Sequence, residues 1–303
     1  MDTAGAGDCE QRDESGNITY DLAIKPAFAA VDDPERLIPA IEFRNVHFSF
    51  EDQKVLDGIS FRVMRGEMKI ILGGSGSGKS TTLTLALGLR KPDEGQILIN
   101  GEDITDLNED ELNRVRAQMG IDFQEGALFD SLSVYDNVAF RLHERGVPED
   151  EVEREVRRLL CFVDLEDAIE KMPAELSGGM RTRVGIARAL AGDPSILLFD
   201  EPTAGLDPPT ARDILELAIK LRDLKDVASI FITHEIENVD FLSSTYAATT
   251  KSGKLVFVQT KDDLCLVNTN ILMIRKGRFI FSGRIKDLYE TEDPYIRNFV
   301  SGV

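Results

Sequence analysis

Met68-Lys69-Ile70-Ile71-Leu72-Gly73-Gly74-Ser75-Gly76-Ser77-Gly78-Lys79-Ser80-Thr81 is the stretch that decides the fold. A short apolar run feeds directly into glycines, the glycine-rich loop matches G-x-x-x-x-G-K-[ST] in full, and residues 80–89 then read as a helix. The glycines let backbone N–H groups turn inward around phosphates, at a helix N-terminus that already favours anions. Lys79 is placed to reach the β and γ phosphates of a nucleotide, and the Ser80 hydroxyl to ligate Mg²⁺.

Downstream, Ile196-Leu197-Leu198-Phe199-Asp200-Glu201 is a second apolar run, and it ends in carboxylates. The runs at 195–199 and 229–232 are continuous, as in strands buried on both faces of a parallel sheet. A strand ending in Asp200 puts a carboxylate at the edge where α/β proteins bind ligands. Asp200 then holds Mg²⁺ through water, and Glu201 polarises an attacking water. Leu176-Ser177-Gly178-Gly179-Met180 precedes Arg181, Arg183 and an Ala-rich helix to Ala191. Ser177 is a natural N-cap, and two glycines leave that helix start open to a phosphate. Upstream, Ile41, Phe43 and 46–50 predict a strand, and the alternation of Ile59, Phe61 and Val63 predicts another. Residues 96–99 and 121–123 predict further strands. Helical spacing runs over 148–172, through Val152, Val156, Leu159 or Leu160, and Val163. Strands alternating with helices imply an α/β core, with a separate helical lobe between Gln124 and Pro194.

The chain has 303 residues, 42% hydrophobic and 29% charged, enough to bury a large core. Its 35 Lys+Arg against 54 Asp+Glu give −19, which argues against a nucleic-acid partner held by a general basic field. The longest apolar runs are too short to cross a bilayer. Cys9, Cys161 and Cys265 show neither metal spacing nor a disulfide framework, so a cytosolic chain is expected. The acidic start from Met1 to Glu14 lacks the apolar core of a signal peptide. Residues 1–38 carry many carboxylates against Arg12, Lys25 and Arg36, which predicts a flexible acidic tail.

The order of phosphate loop, Gln124, Leu-Ser-Gly-Gly-Met, Asp200-Glu201, Gly205-Leu-Asp207 and Thr233-His234 resembles the ATP-binding-cassette (ABC) ATPases over roughly residues 41–283. The resemblance implies a P-loop NTPase ABC cassette: a mixed-sheet core, an antiparallel β-subdomain and a separate α-helical signature subdomain. It divides the chain into the tail at 1–38, a cassette at 39–284 with its helical subdomain at about 125–192, and a C-terminal helical tail at 285–303. By the same resemblance ATP is held by Phe50, Gly73, Gly74, Ser75, Gly76, Ser77, Gly78, Lys79, Ser80 and Thr81, with Phe50 stacked on adenine. Gln124 touches Mg²⁺ beside Ser80 and Asp200 and signals to the membrane partner, and His234 contacts the γ-phosphate. Ser177, Gly178 and Gly179 cover the ATP of another subunit, and Asp207 lies at the dimer seam. The signature ends in Met180 where Gln is usual, and Phe50 stands where Tyr is common, which keeps stacking and loses a hydroxyl.

A narrower resemblance is carried by 123–129, 172–180 and 293–302, which look like Mla-type ATPases. These energise phospholipid transporters that carry mammalian-cell-entry (MCE) proteins. One phosphate loop and one signature imply a homodimer around two ATP. The expected partners are an integral-membrane permease docking near 124–136 and an MCE-domain lipid-binding protein, on the cytoplasmic face of the inner membrane, with no nucleic acid. Another cargo (amino acid, ion or drug) stays open, because the permease chooses cargo. A soluble ABC ATPase of DNA repair or ribosomes fits less well, since the chain has no sustained heptads and a single cassette.

Residues 245–267 lengthen the stretch after His234. Thr245, Gly253, Phe257, Asp263 and Leu264 recur as Thr269, Gly277, Phe281, Asp287 and Leu288, an offset of 24 residues. Two consecutive hairpins are therefore predicted, the inserted one at about 245–268 extending a sheet edge away from the nucleotide.

Overall fold

Two kinds of apolar pattern, continuous and alternating, build two kinds of sheet. The structure is a computed structural model that describes residues 37–51, 53–250, 254–259 and 268–302, with the backbone of 11–12, 18–19 and 22–23. Near the start, β1 (Gln11–Arg12) pairs antiparallel with β2 (Ile18–Thr19), and β3 (Leu22–Ala23) follows. The long strands β4 (Ile41–Phe50) and β5 (Gln53–Val63) pair antiparallel. The second begins six residues before its apolar alternation, because pairing continues to Phe50 opposite Gln53. After β6 (Met68–Leu72) and α1 (Lys79–Ala86), β7 (Glu94–Ile99) and β8 (Glu102–Asp103) complete a four-stranded antiparallel sheet, order β5-β4-β7-β8.

Then come α2 (Glu109–Arg116), β9 (Met119–Asp122), α3 (Val134–Glu144), α4 (Glu149–Phe162) and α5 (Gly178–Leu190). The helix predicted over 148–172 stops at Phe162, because Asp164 takes a left-handed φ of 57° and a short 3₁₀ turn follows at Glu166–Ala168. Next are β10 (Ile196–Asp200), α6 (Pro208–Lys225), β11 (Ala228–Thr233) and α7 (Ile236–Ser244). The chain then forms β12 (Thr245–Thr250), β13 (Leu255–Gln259), β14 (Thr269–Arg275), β15 (Arg278–Gly283), α8 (Ile285–Glu290) and α9 (Pro294–Ser301).

The central sheet has the order β15-β14-β6-β11-β10-β9, parallel except for β15. Successive residues of a strand face opposite sides, and the two cores follow that alternation. Ile70, Leu72, Leu197, Phe199 and Phe231 pack with α3–α7, while Ile71, Ile196, Leu198, Ile230 and Ile232 pack with α1 and the antiparallel sheet. The mixed-sheet core, antiparallel subdomain and helical lobe of the expected fold are all present. No described helix is long and apolar enough to cross a membrane.

The inserted hairpin departs from expectation. It does not extend an edge of the central sheet, whose edges are β15 and β9; it forms its own sheet of order β13-β12-β3. Thr249 and Thr250 pair with Ala23 and Leu22, so part of the stretch read as a flexible tail is strand. Residues 11–12 and 18–19 of that tail are strand as well, 37–38 are described, and its other residues lie outside the described ones. Nor is the insertion peripheral, because Tyr246, Ala247 and Ala248 are buried. The fully buried Arg222 of α6 donates to Leu242 O (2.7 Å), Thr245 O (2.7 Å) and Thr269 Oγ1 (2.8 Å), and forks onto Asp223 (2.6 and 2.9 Å). The Ala247 N–H donates to Asp223 Oδ2 at 2.7 Å, which closes the clamp. Thr269 pairs with Met68 at the start of β6, and the phosphate loop follows Leu72 at its other end, so the clamp lies across the sheet from that loop.

Candidate active site

Parallel register brings four strand ends to one edge. Leu72 pairs with Thr233, Ile232 with Asp200, and Phe199 with Asp122. The glycine loop, His234, Asp200-Glu201 and Gln124 therefore leave the sheet side by side, at the carboxyl edge where such sheets bind ligands.

Two glycines of the loop are required by geometry. Gly78 has φ 107°, and a Cβ there would meet Leu56 Cδ2 at 2.7 Å; a Cβ on Gly73 would meet Ile274 O at 2.5 Å. Lys79 is buried, and its Nζ donates to Gly73 O (2.9 Å) and Gly74 O (3.1 Å) and lies 3.2 Å from Glu201 Oε1. The buried Ser77 Oγ has no hydrogen-bond partner among the described residues, so the loop presents a spare hydroxyl for an acceptor such as a phosphate oxygen. Ser75, Gly76 and Ser80 are exposed and Thr81 is half-buried.

The two carboxylates have different partners. Ser80 Oγ donates to Asp200 Oδ1 at 3.0 Å, and burial pushes the Asp200 carboxyl above its ordinary range against the pull of that bond. The Ser80 hydroxyl and the Asp200 carboxylate are oxygen donors that suit a hard cation such as Mg²⁺, and Gln124 follows the end of the neighbouring strand. His234 Nδ1 and Glu201 Oε2 are 2.9 Å apart. The Glu201 backbone sits at a left-handed φ of 50°, fixed by its N–H on Ile232 O and its carbonyl on the Ala204 N–H, both 3.1 Å. Such a conformation costs about 1–3 kcal/mol and aims the side chain back over the sheet edge.

Ser177 caps α5, its Oγ accepting from the Met180 N–H at 3.3 Å. A Cβ on Gly179 would fall 2.1 Å from Thr210 Cγ2, and Thr210 is held by Asp207 through its hydroxyl (2.8 Å) and N–H (3.2 Å). Those bonds hold the Asp207 carboxyl below its ordinary range. Ser177, Gly178, Gly179 and Asp207 are thus one packed unit. No hydrogen bond or ion pair among the described residues joins that unit to residues 73–81. Phe50 is 44% exposed, edge-on to Phe48 with centroids 4.9 Å apart and 5.4 Å from the Arg90 guanidinium. Gln124, itself exposed, opens a 3₁₀ turn, Gln124–Gly126.

Two residues escaped the sequence. Asp122 is fully buried with neither carboxyl oxygen bonded among the described residues, and burial holds its carboxyl well above the usual range. A single acidic residue after Ile121 gave no signal of that. Tyr295 of α9 places its hydroxyl 4.0 Å from where a Cβ on Gly74 would sit, with Arg275 stacked 3.7 Å from its ring centroid. Residues 293–302 enter the sequence reading only through the narrower resemblance, and the structure sets Tyr295 beside the phosphate loop.

Known proteins are similar to this chain in sequence and fold. The ABC transporter family profile matches residues 56–204. The methionine import ATP-binding protein MetN of Rhodopseudomonas palustris is 43% identical over 201 residues, 66% of this chain and 54% of that protein. The chain thus spans little more than half the length of such methionine-import relatives. The intermembrane phospholipid transport system ATP-binding protein MlaF of Haemophilus influenzae is 36% identical over 254 residues, 84% of this chain and 96% of that protein. Among solved structures, the dimeric ATP-binding cassette MJ0796, in a post-hydrolysis state bound to ADP and Pi, superposes with a TM-score of 0.67 at 28% identity. It covers 81% of this chain and 98% of that one.

Proposed function

Since the chain belongs to the ABC transporter family of ATP-binding proteins, we propose that it is the ATP-hydrolysing subunit of a membrane transporter, working as a homodimer around two Mg-ATP. The observation that carries this is the contact of Lys79 with Glu201, Glu201 with His234, and Ser80 with Asp200 on one sheet edge. Residues 73–81 cradle the phosphates, Lys79 reaches the β and γ groups, and Phe50 stacks on adenine. Ser80, Asp200 and Gln124 hold Mg²⁺, which supplies positive charge against the phosphate oxygens. Glu201 accepts the proton of the attacking water; His234 orients that carboxylate and contacts the γ-phosphate. Ser177, Gly178, Gly179 and Asp207 serve the site of the second copy. The dimeric form of MJ0796 supports that sharing.

ATP joins the halves by binding the closed state better, and hydrolysis releases them. The division into a tail at 1–38, a cassette at 39–284 and a helical tail at 285–303 belongs to the same reading. The work passes to integral-membrane permease subunits, with this chain peripheral on the cytoplasmic face of the inner membrane. Exposed Phe123, Phe129 and Phe140 offer the permease an apolar foothold next to Gln124. For cargo we favour phospholipid or another lipid carried with an MCE protein, because the MlaF relative is matched over nearly its whole length. The higher identity to MetN supports methionine as the second reading.

Lys79→Ala is expected to lose ATP binding, and Glu201→Gln to bind ATP and accumulate as an ATP-bound dimer. Hydrolysis by Glu201→Gln at near wild-type rate would move the base to another residue. Gentle solubilisation is expected to recover a multi-span permease with an MCE protein. Recovery of an amino-acid permease with a periplasmic receptor would replace the lipid cargo.

A further inference from the structure

Asp122 ends β9 fully buried, and neither of its carboxylate oxygens has a hydrogen-bond partner among the described residues. A buried polar group left unmet costs free energy, so it calls for an explanation. The packing is shaped around it. A Cβ on Gly185 of α5 would lie 2.4 Å from Asp122 Oδ1 and 3.0 Å from Gly126 Cα. A Cβ on Gly126 would lie 2.5 Å from Arg181 O. Strand end, Gln124 turn and α5 therefore meet at two glycines around one carboxyl. Arg188, three residues along α5 from Gly185, packs against the same turn that Asp122 precedes. Its guanidinium donates to Gly126 O (2.9 Å) and Ala127 O (3.0 Å), carbonyls at the end of that turn. A guanidinium and a carboxyl thus both lie against the segment that carries Gln124, with no hydrogen bond between them among the described residues.

We propose that Asp122 is a positioning residue for Gln124: it takes Arg188 when the turn at Gln124–Gly126 shifts to bring Gln124 to the metal. The helical lobe, through α5, is thereby tied to the strand that runs beside Asp200. The exchange replaces two carbonyl acceptors with a carboxylate, the stronger partner for a guanidinium. This proposal rests on the ATP-hydrolysis reading above.

The test uses the full-length chain with Asp122→Leu, Asp122→Asn, Arg188→Met and the Asp122→Leu/Arg188→Met double variant. Melting temperature, Mg-ATP affinity and steady-state turnover are measured for each. Asp122→Leu is expected to melt about 2–4 °C higher, since it removes an unmet buried group. Its kcat is expected to fall about 10-fold with KM within about 2-fold. Arg188→Met should lose kcat alike, and the double variant no more than either single one. Asp122→Asn, whose amide oxygen still accepts from Arg188, should keep most of the turnover. A stabilised Asp122→Leu with wild-type kcat would reduce the carboxyl to a tolerated cost. A destabilised Asp122→Leu would mean the carboxyl is already partnered, and additive losses in the double variant would break the link to Arg188; each of these overturns the proposal. If the wild-type chain shows no Mg²⁺-dependent ATP hydrolysis, the underlying reading fails instead.

Discussion

Replacing Arg222 with Met removes the guanidinium and keeps much of the apolar stem. All five N–H groups of Arg222 are used, two on Asp223 and one each on Leu242 O, Thr245 O and Thr269 Oγ1. The substitution strands those three acceptors and leaves Asp223, whose side chain is only 12% exposed, with the Ala247 N–H as its remaining donor. Each unmet buried group costs about 1–3 kcal/mol, but α7 and β12 can relax outward and recruit water. Breaking a buried ion pair from one side costs about 3–5 kcal/mol, which sets the expected loss. At about 2–4 °C per kcal/mol for a domain of this size, melting should fall by roughly 6–20 °C. Urea titration and thermal melting read the loss directly. Mg-ATP affinity measured well below the melting point should stay within about 2-fold, because the clamp lies at the end of the sheet away from the phosphate loop. A loss under about 1 kcal/mol would show that the clamp is solvated and the insertion only loosely attached. Weakened ATP binding at unchanged stability would refute the separation of clamp and site.

Three further outcomes are expected. Gly179→Ala puts a methyl 2.1 Å from Thr210 Cγ2, so it should displace the signature from Asp207 and abolish turnover. Nucleotide binding to the monomer should survive, as equilibrium binding against single-turnover hydrolysis would show. Phe50→Ala should weaken ATP about 10-fold with kcat at saturation unchanged, if stacking carries the adenine contact; an unchanged affinity would move adenine elsewhere. Burial holds the Asp240 carboxyl above its ordinary range, against its bond from the Tyr289 hydroxyl at 2.6 Å. A raised carboxyl binds its proton more readily when folded, so its contribution is present in acid and is lost as pH rises through the raised value. Asp240→Asn should therefore melt above wild type near neutral pH, with the gap closing on acidification; a gap constant with pH would contradict that.

The glycine loop, Asp200-Glu201 and Ser177-Gly178-Gly179 were legible because each holds its chemistry in consecutive residues flanked by a decisive pattern. Continuous apolar runs also gave away the parallel strands. What stayed hidden arises where distant residues meet. Leu242, Thr245 and Thr269 become one acceptor set only after α6 and α7 have packed, so nothing local marks Arg222. The 24-residue offset left a trace of it, since both Thr245 and Thr269 end on that guanidinium, one by carbonyl and one by hydroxyl. The end of α4 is hidden from the sequence because Val163 continues the apolar spacing and is buried, yet Asp164 turns the chain left-handed. The insertion was placed on a sheet edge because pairing partners are not written in a strand's own alternation.

On the proposed reading, the ion pair between Lys79 and Glu201 makes the base an internal competitor for the ammonium that phosphate needs. A nucleotide entering this loop must displace a carboxylate tethered to the protein, and in doing so it frees that carboxylate for water. Arming of the base and arrival of the phosphate are then a single exchange. Glu201→Gln removes the competitor together with the base, so part of its grip on nucleotide comes from an uncontested Lys79 and should extend to ADP, which cannot be trapped by blocked hydrolysis.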